Sequence, residues 1–151
     1  MIQITKSGTE EYWIQLRNYK DERVRVTGEQ SAQNGISVIQ TCNRTVPRFI
    51  AVAGLEVSDL TGNCISASRN GDLVFAGMDI FHCGKGALEL HETINILVAN
   101  SLIHDNKMSG WTSAVDLYLC KSGYTVRGYS IWDNTDEDTT GAQGKGTELC
   151  G

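Results

Sequence analysis

Val52-Ala-Gly-Leu-Glu-Val-Ser-Asp59 returns as Phe75-Ala-Gly-Met-Asp-Ile-Phe-His82, as Val98-Ala-Asn-Ser-Leu-Ile-His-Asp105 and as Val126-Arg-Gly-Tyr-Ser-Ile-Trp-Asp133. The starts lie 23, 23 and 28 residues apart. Self-similarity at a period of roughly 20 to 50 residues is the signature of a solenoid. A fifth, weaker copy begins at Val26-Thr-Gly28. The third positions form a column of Gly28, Gly54, Gly77, Asn100 and Gly128. Gly and Asn tolerate a left-handed backbone, so the column predicts one sharp bend per coil with a strand on each side. Beyond the bend, a β-branched residue recurs as Val57, Ile80, Ile103 and Ile131.

Working outward, a second alternating element lies between these copies: Ile14-Gln-Leu16, Ile36-Ser-Val38, Ile65-Ser-Ala67, Leu88-Glu-Leu90, Val115-Asp-Leu117 and Thr147-Glu-Leu149. Alternation of apolar and polar residues marks a strand with one buried face. Each coil therefore carries a first strand of the Leu88-Glu-Leu90 type, a second of the Leu73-Val-Phe75 type and a third of the Met78-Asp-Ile80 type. One coil cannot bury its inward face alone, but stacked coils enclose a common core. The expected fold is all-β: a right-handed parallel β-helix with three parallel sheets and five to six coils. It forms a single domain over residues 1–151, with N- and C-terminal caps missing. Ile36, Val38, Ile65, Leu88, Leu90, Val115 and Leu117 should point inward from the first sheet. An up-and-down β-sandwich would not need the Gly/Asn column.

Composition agrees with a frame of tight turns, with 16 Gly and a single Pro, Pro47. The net charge of −5 argues against a nucleic-acid partner, which would demand a basic face. It also means that an acidic polysaccharide would need a bridging cation. No apolar run approaches the ~20 residues of a membrane helix, and Met1-Ile-Gln-Ile4 leads straight to Lys6 without a signal-peptide pattern. The five cysteines, Cys42, Cys64, Cys83, Cys120 and Cys150, form no C-x-x-C pair and read as small buried thiols.

Ser7-Gly-Thr-Glu10, Trp13-Ile-Gln-Leu16 and Glu22-Arg-Val-Arg-Val-Thr-Gly28 together resemble the N-terminal turns of right-handed β-helix polysaccharide lyases, of the pectate-lyase-like and chondroitinase-B-like kinds. The resemblance implies a carbohydrate-active domain that binds or acts on acidic polysaccharide with Ca²⁺. It also implies a substrate groove along the first sheet, beside the loops that follow the third strand, and a family that is mostly secreted or periplasmic. The Ser-Gly-Thr element comes early and the sequence stops at Leu149-Cys-Gly151, so the chain reads as a shortened or partial member. The alternative is a non-catalytic β-helix segment with a structural or glycan-binding role. An uncapped solenoid should also pair its exposed ends, so a homo-oligomer or end-to-end stacking is expected.

Alternation places Gln15, Ser37, Ser66, Glu89, Asp116 and Glu148 outward on the first sheet, with Ser68, His91 and Tyr118 one position further. The column turns acidic where the loops lengthen, and the loop spanning 134–146 adds Asp136, Glu137 and Asp138. Glu89, Asp116, Glu148, Asp136 and Asp138 could supply oxygens to Ca²⁺. Glu89, Asp116 and Glu148 are also the catalytic candidates, as an acid and base pair for glycoside hydrolysis. The plain alternative is a solvated sheet face. Trp111, Tyr118, His91 and Lys107 are the candidate substrate contacts. A lyase base is not placed: Lys85, Lys107, Lys121 and Lys145 fall in loops, and Arg127 on the second strand. Asp59, His82, Asp105 and Asp133, with Asn106 and Asn134 beside them, read as turn residues bonded to backbone. His82 and His104 do not share a ladder position, which argues against a two-His metal site.

Overall fold

A computed structural model describes residues 1–29, 33–39, 46–108, 113–118, 122–128, 130–136 and 147–150. The chain lays down β1 (Ile2–Ile4), β2 (Ile14–Arg17) and β3 (Val24–Thr27), then β4 (Ile36–Ile39), β5 (Arg48–Ala53) and β6 (Leu55–Leu60). It continues through β7 (Ile65–Ser68), β8 (Gly71–Ala76), β9 (Asp79–Cys83), β10 (Leu88–His91), β11 (Ile94–Ala99) and β12 (Leu102–His104). After the short β13 (Lys107–Met108) come β14 (Val115–Tyr118), β15 (Ser122–Arg127), β16 (Ser130–Trp132), β17 (Thr135–Asp136) and β18 (Thr147–Cys150).

Apart from the short β13 and β17, every third strand shares a sheet, which is what a solenoid requires. The first sheet runs β1-β4-β7-β10-β14-β18, the second β15-β11-β8-β5-β2 and the third β16-β12-β9-β6-β3; β13 and β17 form a small fourth sheet. All pairings are parallel, so the antiparallel sandwich is excluded. No helix of the described residues is long and apolar enough to cross a membrane.

Register is one-to-one, so like residues stack into columns. Ile36, Ile65, Leu88 and Val115 form one inward column, and Val38, Ala67, Leu90 and Leu117 another. All eight are buried. Val57, Ile80 and Ile103 stack from the third sheet, and Ile131 continues them partly buried. The repeat predicts five to six coils, but the fully buried core amounts to about three, from Ile36 to Ile103, closed over by β14. Ile2, Ile4, Ile14, Leu16, Val26 and Ile131 pack against that core only in part. Each has a neighbouring coil on only one side among the described residues, which leaves it partly exposed.

The bend column is real but begins differently. Gly54, Gly77, Asn100 and Gly128 have φ of 65°, 60°, 51° and 59°. Gly28 does not belong to this column, because β3 is a third-sheet strand with Val26 opposite Val57. Ile14-Gln-Leu16 likewise belongs to the second sheet, opposite Ile50 to Val52, and Ile2-Gln-Ile4 heads the first sheet. Asn18 follows Arg17 into register with Gly54, close enough that a Cβ on Gly54 would meet Asn18 Oδ1 at 2.2 Å. Short alternating triplets look alike on any sheet, which is why the first coil was open to a shifted reading.

Asp59, His82, Asp105 and Asp133 all adopt left-handed φ, between 50° and 57°, Asp105 and Asp133 at bends and Asp59 and His82 within β6 and β9. The bonding to backbone is done by the neighbouring asparagines. Asn106 Oδ1 accepts from Cys83 N at 2.8 Å, and Asn134 Oδ1 accepts from Asn106 N at 3.1 Å. Asn134 Nδ2 donates to the carbonyls of Ile103 and Trp132. Both side chains are buried, so these bonds satisfy backbone groups that water cannot reach.

Cys64 and Cys83 are not thiols but a disulfide, with Cα atoms 5.6 Å apart. Cys64 precedes β7 and Cys83 ends β9, so the start and finish of one coil become neighbours as the chain closes its circuit. A residue separation of 19 hides that proximity from a linear reading. Cys42, Cys120 and the Cys150 side chain lie outside the described residues.

Candidate functional site

The acidic column forms on the outer face of the first sheet as the alternation requires. Ser66, Glu89 and Asp116 are directly opposite one another across β7, β10 and β14, and Ser68, His91 and Tyr118 form the adjacent row. Strand spacing of ~4.8 Å sets the rung height. Within it, Glu89, His91 and Asp116 bring one ligand-capable atom each to within 4.8 Å of one another. His91 Nε2 lies 3.2 Å from Glu89 Oε1 and 3.8 Å from Asp116 Oδ2. The first approach is at ion-pair distance but is not aligned as a hydrogen bond, and Nε2 is a buried nitrogen without a hydrogen-bond partner among the described residues.

The surroundings hold these groups in place. Asn63 Nδ2 donates to Glu89 Oε2. Asn63 is itself fixed by the turn, accepting from Gly86 N at 2.9 Å and donating its backbone N–H to Asn34 Oδ1 at 3.1 Å. The Asp116 side chain is only 9% exposed, whereas that of His91 is 37% exposed and opens to solvent. Tyr118 flanks the imidazole, ring centroids 5.3 Å apart. A hollow of about 100 Å³ beside the cluster is lined by Ile39, Ser66, Ala67, Ser68, Glu89 and His91. Further toward β1, Ser37 and Ser66 share a hydroxyl hydrogen bond of 3.0 Å.

Of the predicted site residues, Glu89, Asp116, His91 and Tyr118 come together. Glu148 stands one rung beyond Asp116 by register, and Asp136 lies on β17 opposite Met108; their side chains are outside the description. Trp111 and Asp138 lie outside the described residues altogether. Lys107 is exposed on β13, beside β9 rather than on the first sheet. His82 and His104 do not meet at one site: His82 Nδ1 pairs with Asp59 at 3.0 Å, and His104 stands between Asp79 and Asp105.

The third sheet carries features that sequence reasoning missed. Phe81, His104 and Trp132 share one outward ladder and stack nearly parallel, with centroids 5.2 Å and 4.4 Å apart. The Arg25 guanidinium lies over the Phe81 ring. All three rings occupy the seventh position of the repeat, so the aligned copies did contain the signal. The inner ring faces are taken up by one another, which makes this a structural column. Beside it, Glu56 binds both Arg23 and Arg25, and the hydrogen bond from Arg23 holds its carboxyl below the usual range. Asp59 is lowered too, first by the Ser58 hydroxyl and then by His82, against the opposing effect of burial. A further hollow lies elsewhere, on the outer face of the second sheet.

Comparison of the chain with protein-family models, with curated proteins and with solved structures finds no match.

Proposed function

We propose that the outer face of the first sheet binds an acidic polysaccharide through a divalent cation, Ca²⁺, in the manner suggested by the likeness to polysaccharide lyases. The observation that carries this reading is the convergence of the Glu89 and Asp116 carboxylates beside His91, with one ligand-capable atom from each within 4.8 Å of the others. Glu89 and Asp116 would supply the first oxygens. Glu148, Asp136 and Asp138 are the further acidic candidates from the same column and loop. Calcium takes six to eight oxygens, so two carboxylates leave positions for a uronate and water. The cation also resolves the charge problem at this face, because Glu89 and Asp116 would otherwise repel a polyanion there. His91 and Tyr118 border the open side, with Trp111 and Lys107 as contacts further out.

Binding, rather than cleavage, is the reading favoured here, because the strands of the first sheet carry neither Lys nor Arg to act as the base of an elimination. The test is calorimetric titration of polygalacturonate into the protein, with Ca²⁺ and with EDTA, alongside absorbance near 235 nm. A component of binding that appears only with Ca²⁺ and is lost in Glu89→Gln/Asp116→Asn, with no unsaturated product, is the expected result. Equal binding in EDTA removes the cation from the site, and release of unsaturated product makes the protein an enzyme.

A further inference from the structure

We infer that the outer face of the second sheet is a separate, cation-independent groove for an acidic oligosaccharide. It goes beyond the first-sheet reading and stands on different residues. The hollow has a volume of about 430 Å³, and its outward lining includes Trp13, Val74, Leu97, Thr125 and Arg127. Its floor follows from register: Ala51, Val74, Leu97 and Thr125 are one outward ladder across β5, β8, β11 and β15. In the next ladder, Arg17, Ala53, Ala76, Ala99 and Arg127 follow one another. The small alanine side chains keep that side low, with Ala53 and Ala76 partly exposed and Ala99 buried, and of the two arginines Arg127 lines the hollow. Four rungs of ~4.8 Å separate Arg17 from Arg127 by about 19 Å along the solenoid.

The opposite rim is built by backbone geometry. Phe49, Asp72 and Asn95 all adopt left-handed φ, between 53° and 57°, near the start of their second-sheet strands. Asp72 and Asn95 border the hollow and are joined by a 3.0 Å hydrogen bond. Trp13 closes the remaining end, braced edge-on by Phe49.

Chemistry selects the occupant. An apolar floor with an aromatic side chain at one end suits the C–H face of a pyranose ring. Amide and hydroxyl groups from Asn95 and Thr125 suit its hydroxyls. The one carboxylate on the rim, Asp72, is already neutralised by Arg48 at 2.6 Å. Arg127 and Arg17 are exposed and form no ion pair among the described residues, so the charge left over in the groove is positive. A guanidinium binds a carboxylate in bidentate fashion. A sugar chain bearing carboxylates therefore fits, and a neutral one lacks the partner for Arg127.

The experiment is titration of trigalacturonate and of cellotriose into the full chain, both in EDTA, followed by calorimetry and by chemical shifts of Leu97 and Thr125. EDTA silences the proposed calcium site, so failure there and failure here are separable. The expected result is binding of trigalacturonate alone, weakened about tenfold or more in Arg127→Gln and by raised salt. Leu97→Glu, which places a carboxylate on the floor, should abolish it while Glu89→Gln/Asp116→Asn leaves it intact. Equal binding of cellotriose, no binding of trigalacturonate, or indifference to Arg127→Gln in a protein of unchanged circular dichroism would overturn the assignment.

Discussion

Removing the Cys64–Cys83 bond should cost the solenoid about 3 kcal/mol. The bond closes a loop with a sequence separation of 19. Loop-closure entropy for a ring of that size corresponds to about 3 kcal/mol at 25 °C, by restricting the unfolded chain. For a chain of this length each kcal/mol moves the midpoint by roughly 2–4 °C, so the loss should be about 6–12 °C. Both sulfurs are fully buried, which makes Cys64→Ala/Cys83→Ala the cleaner perturbation. Serines would add the separate penalty of buried hydroxyls. The assay is a thermal melt followed by circular dichroism, with and without a phosphine reductant. The wild type should melt lower in reductant, and the double variant should melt low in both conditions. A wild type indifferent to reductant, together with a variant within 2 °C of it (about 1 kcal/mol or less), would show that the bond adds nothing. Five titratable thiols in the denatured, unreduced protein would show that it does not form.

Ile80→Ala, in the middle of the buried column, should lower stability by about 2–5 kcal/mol in urea, whereas Ile131→Ala, only partly buried, should lose less. Gly54→Ala should be more damaging than Gly77→Ala. Both need left-handed φ, worth about 1–2 kcal/mol, but a Cβ at Gly54 also meets Asn18 Oδ1 at 2.2 Å, while at Gly77 the nearest atom is 3.9 Å away. The lowered carboxyls of Glu56 and Asp59 predict acid sensitivity: their contribution is present above the ordinary carboxylate range and is lost as pH falls through the folded values, so melting temperature should drop below about pH 4. Asp59→Asn should flatten that slope, and an unchanged slope would refute the assignment.

The parallel solenoid was legible because its signals are local and repeated. The bend between the second and third sheets falls on Gly54, Gly77, Asn100 and Gly128, and inward positions fall on β-branched or aliphatic residues at fixed offsets. The first-sheet site was legible for the same reason: alternation alone aims Glu89, Asp116 and the His91 row outward. What alternation cannot give is contact across the closed circuit, such as Cys64 with Cys83 or Asn63 with Glu89. Nor does it reveal a groove whose rim depends on left-handed kinks at Asp72 and Asn95, since these positions fall inside second-sheet strands, where the repeat gives no bend signal. The first coil was misassigned because a three-residue strand holds too few alternations to tell one sheet from another.

Of the five extra residues in the 28-residue spacing between the last two copies, against 23 for the others, four fall after the third sheet, where β13 lies, and one falls between β14 and β15. Extra length is also admitted between the first and second sheets: Ile36 pairs with Ile65 at a separation of 29 and Ile50 with Leu73 at 23, so the link from β4 to β5 is six residues longer than that from β7 to β8. The columns stay aligned rung for rung, so such a chain can change what it displays at its corners without re-solving its interior. Whole coils of 23 residues should likewise be tolerable units of insertion, provided that each ends in an asparagine or a left-handed residue able to join the ladder beside Asn106 and Asn134.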